Sequence, residues 1–374
     1  MKIKSIEIGI LNSPLKTPFI TAVRRVDSLT DVIVKIEADN GLTGWGGAAP
    51  TAKVTGETLC SIAGAVNEAI KPALIGTDCD DLEGSLDIID QALMHNTSAK
   101  AAVDIALHDL WAKSIGQPAW KLFGGSGRSI STDITISLNE PEEMAKDALR
   151  AVADGFTVLK LKVGGDTATD MKRLSAIKEA TGGQVRFRLD ANQGWAPTDA
   201  VKIIGDMASD GLNIDLVEQP VKSYDLAGLK FVTDRSPFPI VADESCQNVK
   251  DAINIISGHY ADMVNIKLMK CGGVRGARQI LDMAKAFDVK VMIGCMMEGK
   301  VSVSAAAHLA SAYSCVAAVD LDSPNLCASY AVQGGPDFSS SSEIKMNNNL
   351  GFGITEVPDY VFKEPDQHLC WAGK

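Results

Sequence analysis

The sequence holds no uninterrupted apolar run of the roughly 18 residues that a membrane-spanning helix needs. Even the alanine-rich stretch at 301–319 is broken by serines and His308, so no membrane partner is expected. Excess positive charge is missing as well. Lys and Arg number 36 against 47 Asp and Glu, a net charge of −11, which repels polyanions and argues against a nucleic-acid partner. Cysteine is present but never paired at short range. The eight cysteines, at 60, 79, 246, 271, 295, 315, 327 and 370, lie at least 12 residues apart, which excludes the Cys-x-x-Cys clips of zinc and redox sites. The five histidines form no His-Glu-x-x-His motif, so a histidine-based zinc site is not expected. Lys2 and Lys4 open the chain, but Glu7 interrupts the apolar segment that a signal peptide requires. Reduced thiols in a cytoplasmic protein are the expectation.

The composition is that of a globular chain, 46% hydrophobic and 22% charged over 374 residues, a length that suits two to three domains or one large barrel with an appended piece. The first 50 residues alternate at Ile6, Ile8, Ile10 and again at Val32, Val34, Ile36, then reach the hairpin turn Asp39-Asn40-Gly41, which predicts a small antiparallel sheet. Helical periodicity follows to about residue 115, clearest from Ser98 to Lys113. Beyond Gly124-Gly125 the pattern becomes strand, loop, helix, repeated. Strand-like runs fall at 130–137, 156–163, 185–190, 213–218, 239–242, 262–268, 289–294 and 316–321. Helix starts are marked by Pro141, Pro197 and Asn248. That rhythm predicts an α/β fold of the TIM-barrel type, with a doubly wound sheet as the other architecture.

Catalytic groups of such a barrel belong at the C-terminal ends of its strands. Here Lys162, Asp190, Glu218, Asp243 and Lys267 recur at steps of 28, 28, 25 and 24 residues, once per repeat. Strand parity puts Lys160 on the same face as Lys162, Leu216 with Glu218, Val241 with Asp243, and Met263 and Asn265 with Lys267. A single Lys-x-Lys is usually a solvated edge and a single Asp a helix cap, but neither keeps this phase. Three converging carboxylates need a counter-charge. All-oxygen ligands with room left for substrate fit Mg²⁺ better than Ca²⁺, with Mn²⁺ as a substitute for Mg²⁺. Lysines on opposite sides form a proton donor and acceptor pair, and crowding by Lys160 is expected to lower a lysine pKa. The chemistry implied is removal of a weakly acidic proton next to a carboxylate. Cys295 and Met297 after the seventh strand read as cavity lining or buried filler. The run Cys271-Gly272-Gly273-Val274-Arg275-Gly276 reads as a phosphate cradle or a tight turn.

These residues resemble the enolase superfamily, in its muconate lactonizing enzyme subgroup, and within it the dipeptide epimerases. The resemblance spans nearly the whole chain, including Gly44-Trp45-Gly46 and the helix Ala101 to Leu110. It implies an α+β lid (1–122), a (β/α)7β barrel (123–340) and a C-terminal segment returning to the lid (341–374). It also implies Asp190, Glu218 and Asp243 as Mg²⁺ ligands, Lys162 and Lys267 as the acid/base pair, and Lys160 as a charge-neutralising neighbour. Asp320-Leu321-Asp322 resembles the motif that holds a dipeptide ammonium group, and Thr17 to Arg24 resembles the lid loop of epimerases acting on Ala-Glu. Arg24 is then expected to pair with the substrate's side-chain carboxylate, with Arg25 beside it, while Thr135 and Met297 join the substrate-binding set. The expected function is epimerisation of the C-terminal residue of L-Ala-L-Glu or L-Ala-D-Glu through an enediolate, a link to peptidoglycan peptide turnover, by a homo-oligomer. An o-succinylbenzoate synthase or muconate cycloisomerase type of lyase and a non-catalytic small-acid binder are the alternatives.

Overall fold

The computed structural model describes residues 1–20, 25–339 and 342–362. Three antiparallel strands, β1 (Ile3–Ile20), β2 (Arg25–Ala38) and β3 (Thr43–Ala48), form the first sheet. Gly41, at φ +86°, makes the turn between β2 and β3, a conformation glycine adopts without steric cost. The alternating apolar residues Ile6, Ile8, Val32, Val34 and Ile36 are buried. They share one core with the helix Thr97–Ile115. That helix is covered on nearly all sides, which is why its apolar residues do not keep to one stripe. It ends at Gly116, which is left-handed at φ +71° and whose N–H returns to the Ala112 and Lys113 carbonyls.

The contact between β3 and this helix explains the Gly44-Trp45-Gly46 pattern. A Cβ on Gly44 would lie 2.1 Å from the Ala106 carbonyl oxygen, and one on Gly46 would lie 1.8 Å from that of Ala102. Asp109 fastens the same junction: one carboxylate oxygen accepts from the Trp45 N–H at 2.9 Å, and the other from the Phe352 N–H at 2.7 Å.

Eight parallel strands follow in one sheet, neighbours in space in the order of the chain. They are β4 (Ile134–Ile136), β5 (Val158–Lys162), β6 (Arg186–Asp190), β7 (Ile214–Glu218), β8 (Ile240–Ala242), β9 (Met263–Ile266), β10 (Lys290–Gly294) and β11 (Val316–Asp320). The seam between β4 and β11 is joined by Asp133 N–H to the Val319 carbonyl at 3.3 Å and by Leu321 N–H to Thr132 Oγ1 at 2.9 Å. The sheet is therefore a nearly closed barrel rather than a doubly wound sheet. Proline opens the helices Pro141–Ala153 and Pro197–Ser209, where its missing N–H costs nothing. Asn248 caps Val249–Gly258 through its side chain.

The expected strand runs at 130–137 and 262–268 are cut short by changes of partner or of local structure. In 130–137 the backbone changes partners at Thr132, whose N–H bonds to the Ser342 carbonyl. Ile130–Ser131 pairs instead with Glu343–Ile344, antiparallel, and only 134–136 enters the barrel. In 262–268 the strand stops at Ile266, because Lys267 already starts the short helix Leu268–Cys271. The barrel floor is a buried layer of Leu216, Val241, Met263, Met292 and Ala318. No helix of the described residues is long and apolar enough to cross a membrane.

Candidate active site

Two residues beyond the floor, at Glu218, Asp243 and Asp320, the interior changes from hydrocarbon to charge. Lys160 on β5 is 2% exposed. Its amine lies 2.7 Å from Asp320 Oδ2, 2.7 Å from Glu218 Oε2 and 3.4 Å from Asp190 Oδ2. Lys162 donates to Asp190 Oδ2 at 2.5 Å, and Lys267 donates to Asp243 Oδ2 at 2.7 Å. The five strand-end residues are thus brought together, and Lys160 joins them to Asp320.

Burial and mutual repulsion set the protonation of this cluster. Glu218 is pushed up to about 7, by burial first and then by Asp190. Burial also pushes Asp190 and Asp243 up, but Lys162 and Lys160 outweigh it at Asp190, as Lys267 and Lys270 do at Asp243, and both end below the usual carboxylate range. The lysines differ from the sequence expectation. Burial pulls Lys160 and Lys267 down, yet the carboxylates around them win and hold both above the ordinary lysine value. Crowding by a neighbouring cation is a lesser influence than the adjoining acids.

At the barrel seam Asp322 accepts the Thr135 N–H at 2.7 Å, and Asp133, Asp320 and Asp322 each bring one oxygen within 4.8 Å of the others. Asp320 sits low, at about 2, since Lys160 and Lys267 overcome its burial. Asp322 is raised to about 6 by burial and by Asp320. A cavity of about 540 Å³ opens over these groups, lined by Lys160, Lys162, Lys267, Asp243, Asp320, Asp322, Thr135, Cys295 and Met297. Met297 and Cys295 are therefore wall residues. Arg24 lies outside the described residues.

The chain matches two family descriptions in succession: "Mandelate racemase / muconate lactonizing enzyme, N-terminal domain" over residues 5–124 and "Enolase C-terminal domain-like" over 143–359. It is 48% identical to the L-Ala-D/L-Glu epimerase of Clostridium acetobutylicum, over 96% of this chain and 99% of that protein. A substrate-liganded structure of the L-Ala-D/L-Glu epimerase from Bacillus subtilis superposes with a TM-score of 0.93 at 44% identity, covering 96% of this chain and 100% of that one. The dipeptide epimerase of Enterococcus faecalis, complexed with Mg and L-Leu-L-Tyr, superposes with a TM-score of 0.91 at 38% identity, over 95% and 100%. The chain belongs to the mandelate racemase/muconate lactonizing enzyme family of the enolase superfamily.

Two carboxylate sets of this family member can be weighed as a home for a hard cation. Asp133, Asp320 and Asp322 are the closer-packed, but Asp133 is held by Arg188 at 2.8 Å, a cation that cannot lose its charge. Asp190, Glu218 and Asp243 are countered instead by flexible lysine amines. Glu218 Oε2 is buried with no aligned hydrogen bond, although Lys160 is near, and its fellow oxygen is fixed by the Asn265 amide at 2.8 Å. An oxygen-only donor set in which Glu218 Oε2 has only the Lys160 amine beside it fits Mg²⁺.

Several groups of this family member's site escape a strand-end reading. Lys270, one turn past Lys267, ion-pairs with Asp243 Oδ1 and donates to the Asp243 carbonyl at 2.6 Å. In sequence it reads as an ordinary helix lysine. Gln219 sits at φ +39° directly after Glu218. Its Oε1 accepts the N–H groups of Asp243 at 2.9 Å and Ser245 at 3.1 Å, while its Nε2 donates to Ser245 Oγ at 2.8 Å and the Val221 carbonyl at 2.9 Å. The glycine run at 271–276 is a turn: Val274 N–H donates to Asp104 Oδ1 at 2.5 Å and Arg275 N–H to Asp104 Oδ2 at 3.3 Å. The helix start that could have met a phosphate is capped by the lid helix.

Proposed function

We propose that this chain is a Mg²⁺-dependent dipeptide epimerase that inverts the α-carbon of the C-terminal residue, with L-Ala-L-Glu and L-Ala-D-Glu as its pair of substrates. One observation carries the reading. Lys162 ends β5 and Lys267 follows β9, four places apart in a ring of eight strands, so their amines face each other across one cavity. A planar carbanion between them has one lysine on each face. Removal of the α-proton by one and return of a proton by the other inverts the centre.

Asp190, Glu218 and Asp243 are the proposed Mg²⁺ ligands. When bound there, the ion supplies positive charge to the substrate carboxylate, which makes the α-proton more acidic. Lys160, between Glu218 and Asp320, adds a fixed positive charge beside the developing anion. Asp320 and Asp322 accept the substrate ammonium group, and their low and raised protonation tendencies leave at least one of them ionised at neutral pH. A lyase substrate without an ammonium group has no use for that pair. The relatives acting on Ala-Glu support the choice of dipeptide, as does the resemblance of residues 17–24, where Arg24 is proposed to meet the side-chain carboxylate. Thr135 and Met297 complete the substrate wall.

The same reading divides the chain into 1–122, 123–340 and 341–374; the family match over 5–124 supports the first of these boundaries. It also makes the enzyme a cytoplasmic homo-oligomer without a nucleic-acid partner, in keeping with net charge −11 and with seven cysteines of the described residues that form no disulfide. Proton NMR in D₂O with Mg²⁺ and a dipeptide panel tests the proposal. Exchange of the C-terminal α-proton with growth of the diastereomer is the expected outcome, fastest for L-Ala-L-Glu. No exchange with any dipeptide overturns it.

A further inference from the structure

The cations around the cavity are of two kinds. Lys160, Lys162 and Lys267 rise from the barrel and are paired with carboxylates at 2.7, 2.5 and 2.7 Å. Lys53 comes from the lid side, in the turn where Val54 and Thr55 both donate to the Thr51 carbonyl at 3.0 Å. Its side chain is exposed and lines the same cavity. Among the described residues it has neither an ion-pair nor a hydrogen-bond partner.

Part of the cavity wall that Lys53 shares is hydrocarbon. Phe19, Val54, Met297 and Leu326 line the cavity with it, and Phe19, Met297 and Leu326 belong to one apolar cluster. The acids of the lining, Asp243, Glu244, Asp320 and Asp322, lie on or just after the barrel strands. A substrate side chain reaching toward the lid therefore passes apolar surface and then meets a cation whose charge is not already answered. A methylene stem ending in a carboxylate matches that sequence of surfaces.

We propose that Lys53 is a specificity-determining residue, which selects an acidic C-terminal residue by meeting its side-chain carboxylate at the lid. The proposal rests on the dipeptide reading above and adds a second cation to the one expected from Arg24. An exposed ammonium on a flexible stem is a hydrated point charge, so its contribution falls on substrate capture and weakens with salt.

The experiment measures kcat and KM for L-Ala-L-Glu and for its neutral isostere L-Ala-L-Gln, with Mg²⁺, at low and high salt, in the unaltered enzyme, Lys53→Met and Lys53→Arg. In Lys53→Met the Glu-over-Gln ratio of kcat/KM is expected to fall about ten-fold, mainly through KM, and the salt dependence of KM for L-Ala-L-Glu is expected to shrink. Lys53→Arg restores the ratio to within about two-fold, because the charge is kept. An unchanged ratio in Lys53→Met overturns the assignment while leaving the epimerase reading intact. An unaltered enzyme with no preference for Glu over Gln overturns both the assignment and the acidic substrate, and one that epimerises no dipeptide overturns the function itself.

Discussion

The floor and the mouth of the barrel are built by the same strands, one pleat apart. Leu216 and Glu218, Val241 and Asp243, and Ala318 and Asp320 are successive inward-facing positions. In each pair the first is hydrocarbon in a dry layer and the second an acid in a charged one. The floor is indifferent to chemistry and sensitive to volume; the mouth is the reverse. Burying so many ions is unfavourable unless each is countered, and the mouth meets that condition only by threading Lys160, Lys162, Lys267 and Lys270 among the acids. The packing below supplies the stability that this arrangement does not.

The contrast can be broken most severely at the lysines. Net epimerisation by Lys162→Ala and by Lys267→Ala, each followed by NMR, is expected to fall about 10³-fold, since a missing acid/base group removes one face of the proton transfer. Near-normal turnover in either variant ends the two-lysine account. At the floor, Leu216→Ala is expected to lower unfolding free energy in urea by about 2–5 kcal/mol through the cavity it leaves, with kcat of the folded fraction little changed. A large loss of kcat there would mean that floor and mouth are not separable.

Gln219 sharpens the comparison, because it acts on the mouth without touching substrate. Gln219→Leu deletes all four of its side-chain hydrogen bonds, and Mn²⁺ affinity read by electron paramagnetic resonance is expected to weaken about 10- to 100-fold, with partial recovery in Gln219→Glu. Unchanged affinity would leave Gln219 a loop tie and nothing more. The smallest effect concerns a group outside both layers. His308, in the helix Lys300–Ala312, is fully buried, and its Nδ1 accepts the Trp120 N–H at 3.1 Å. Burial lowers it from 6.5 to about 3, so it is neutral when folded and binds a proton more readily when unfolded. Its contribution is complete above pH 6.5 and is lost as pH falls from 6.5 toward 3, about 2 kcal/mol by pH 5. Urea midpoints at pH 7 and pH 5 should therefore differ less in His308→Gln than in the unaltered chain.

Much of this is legible in the residues alone, because a barrel converts sequence period into spatial convergence. Acids and lysines placed once per βα repeat arrive at one rim, and parity sorts them inward. What parity does not reach is contact made off the strands. Lys270 meets Asp243 from a helical turn, and Gln219 does its work from a left-handed backbone. Asp104 fills a helix start 170 residues downstream of it. The direction of the lysine pKa shifts was hidden for a related reason: Lys160 and Lys162 adjoin in sequence, whereas the acids that dominate Lys160 come from β7 and β11.

The near-overlap of β3 with its supporting helix at Gly44 and Gly46 has a consequence for how such a protein changes over generations. A sheet fixed to a helix at backbone distance tolerates no repacking, so it serves as a rigid bracket for the turn that follows it at residues 51–55. Substitutions in that turn can redraw the rim of the cavity without moving the bracket or the strands beneath it. Diet can then drift while the engine stays as it is.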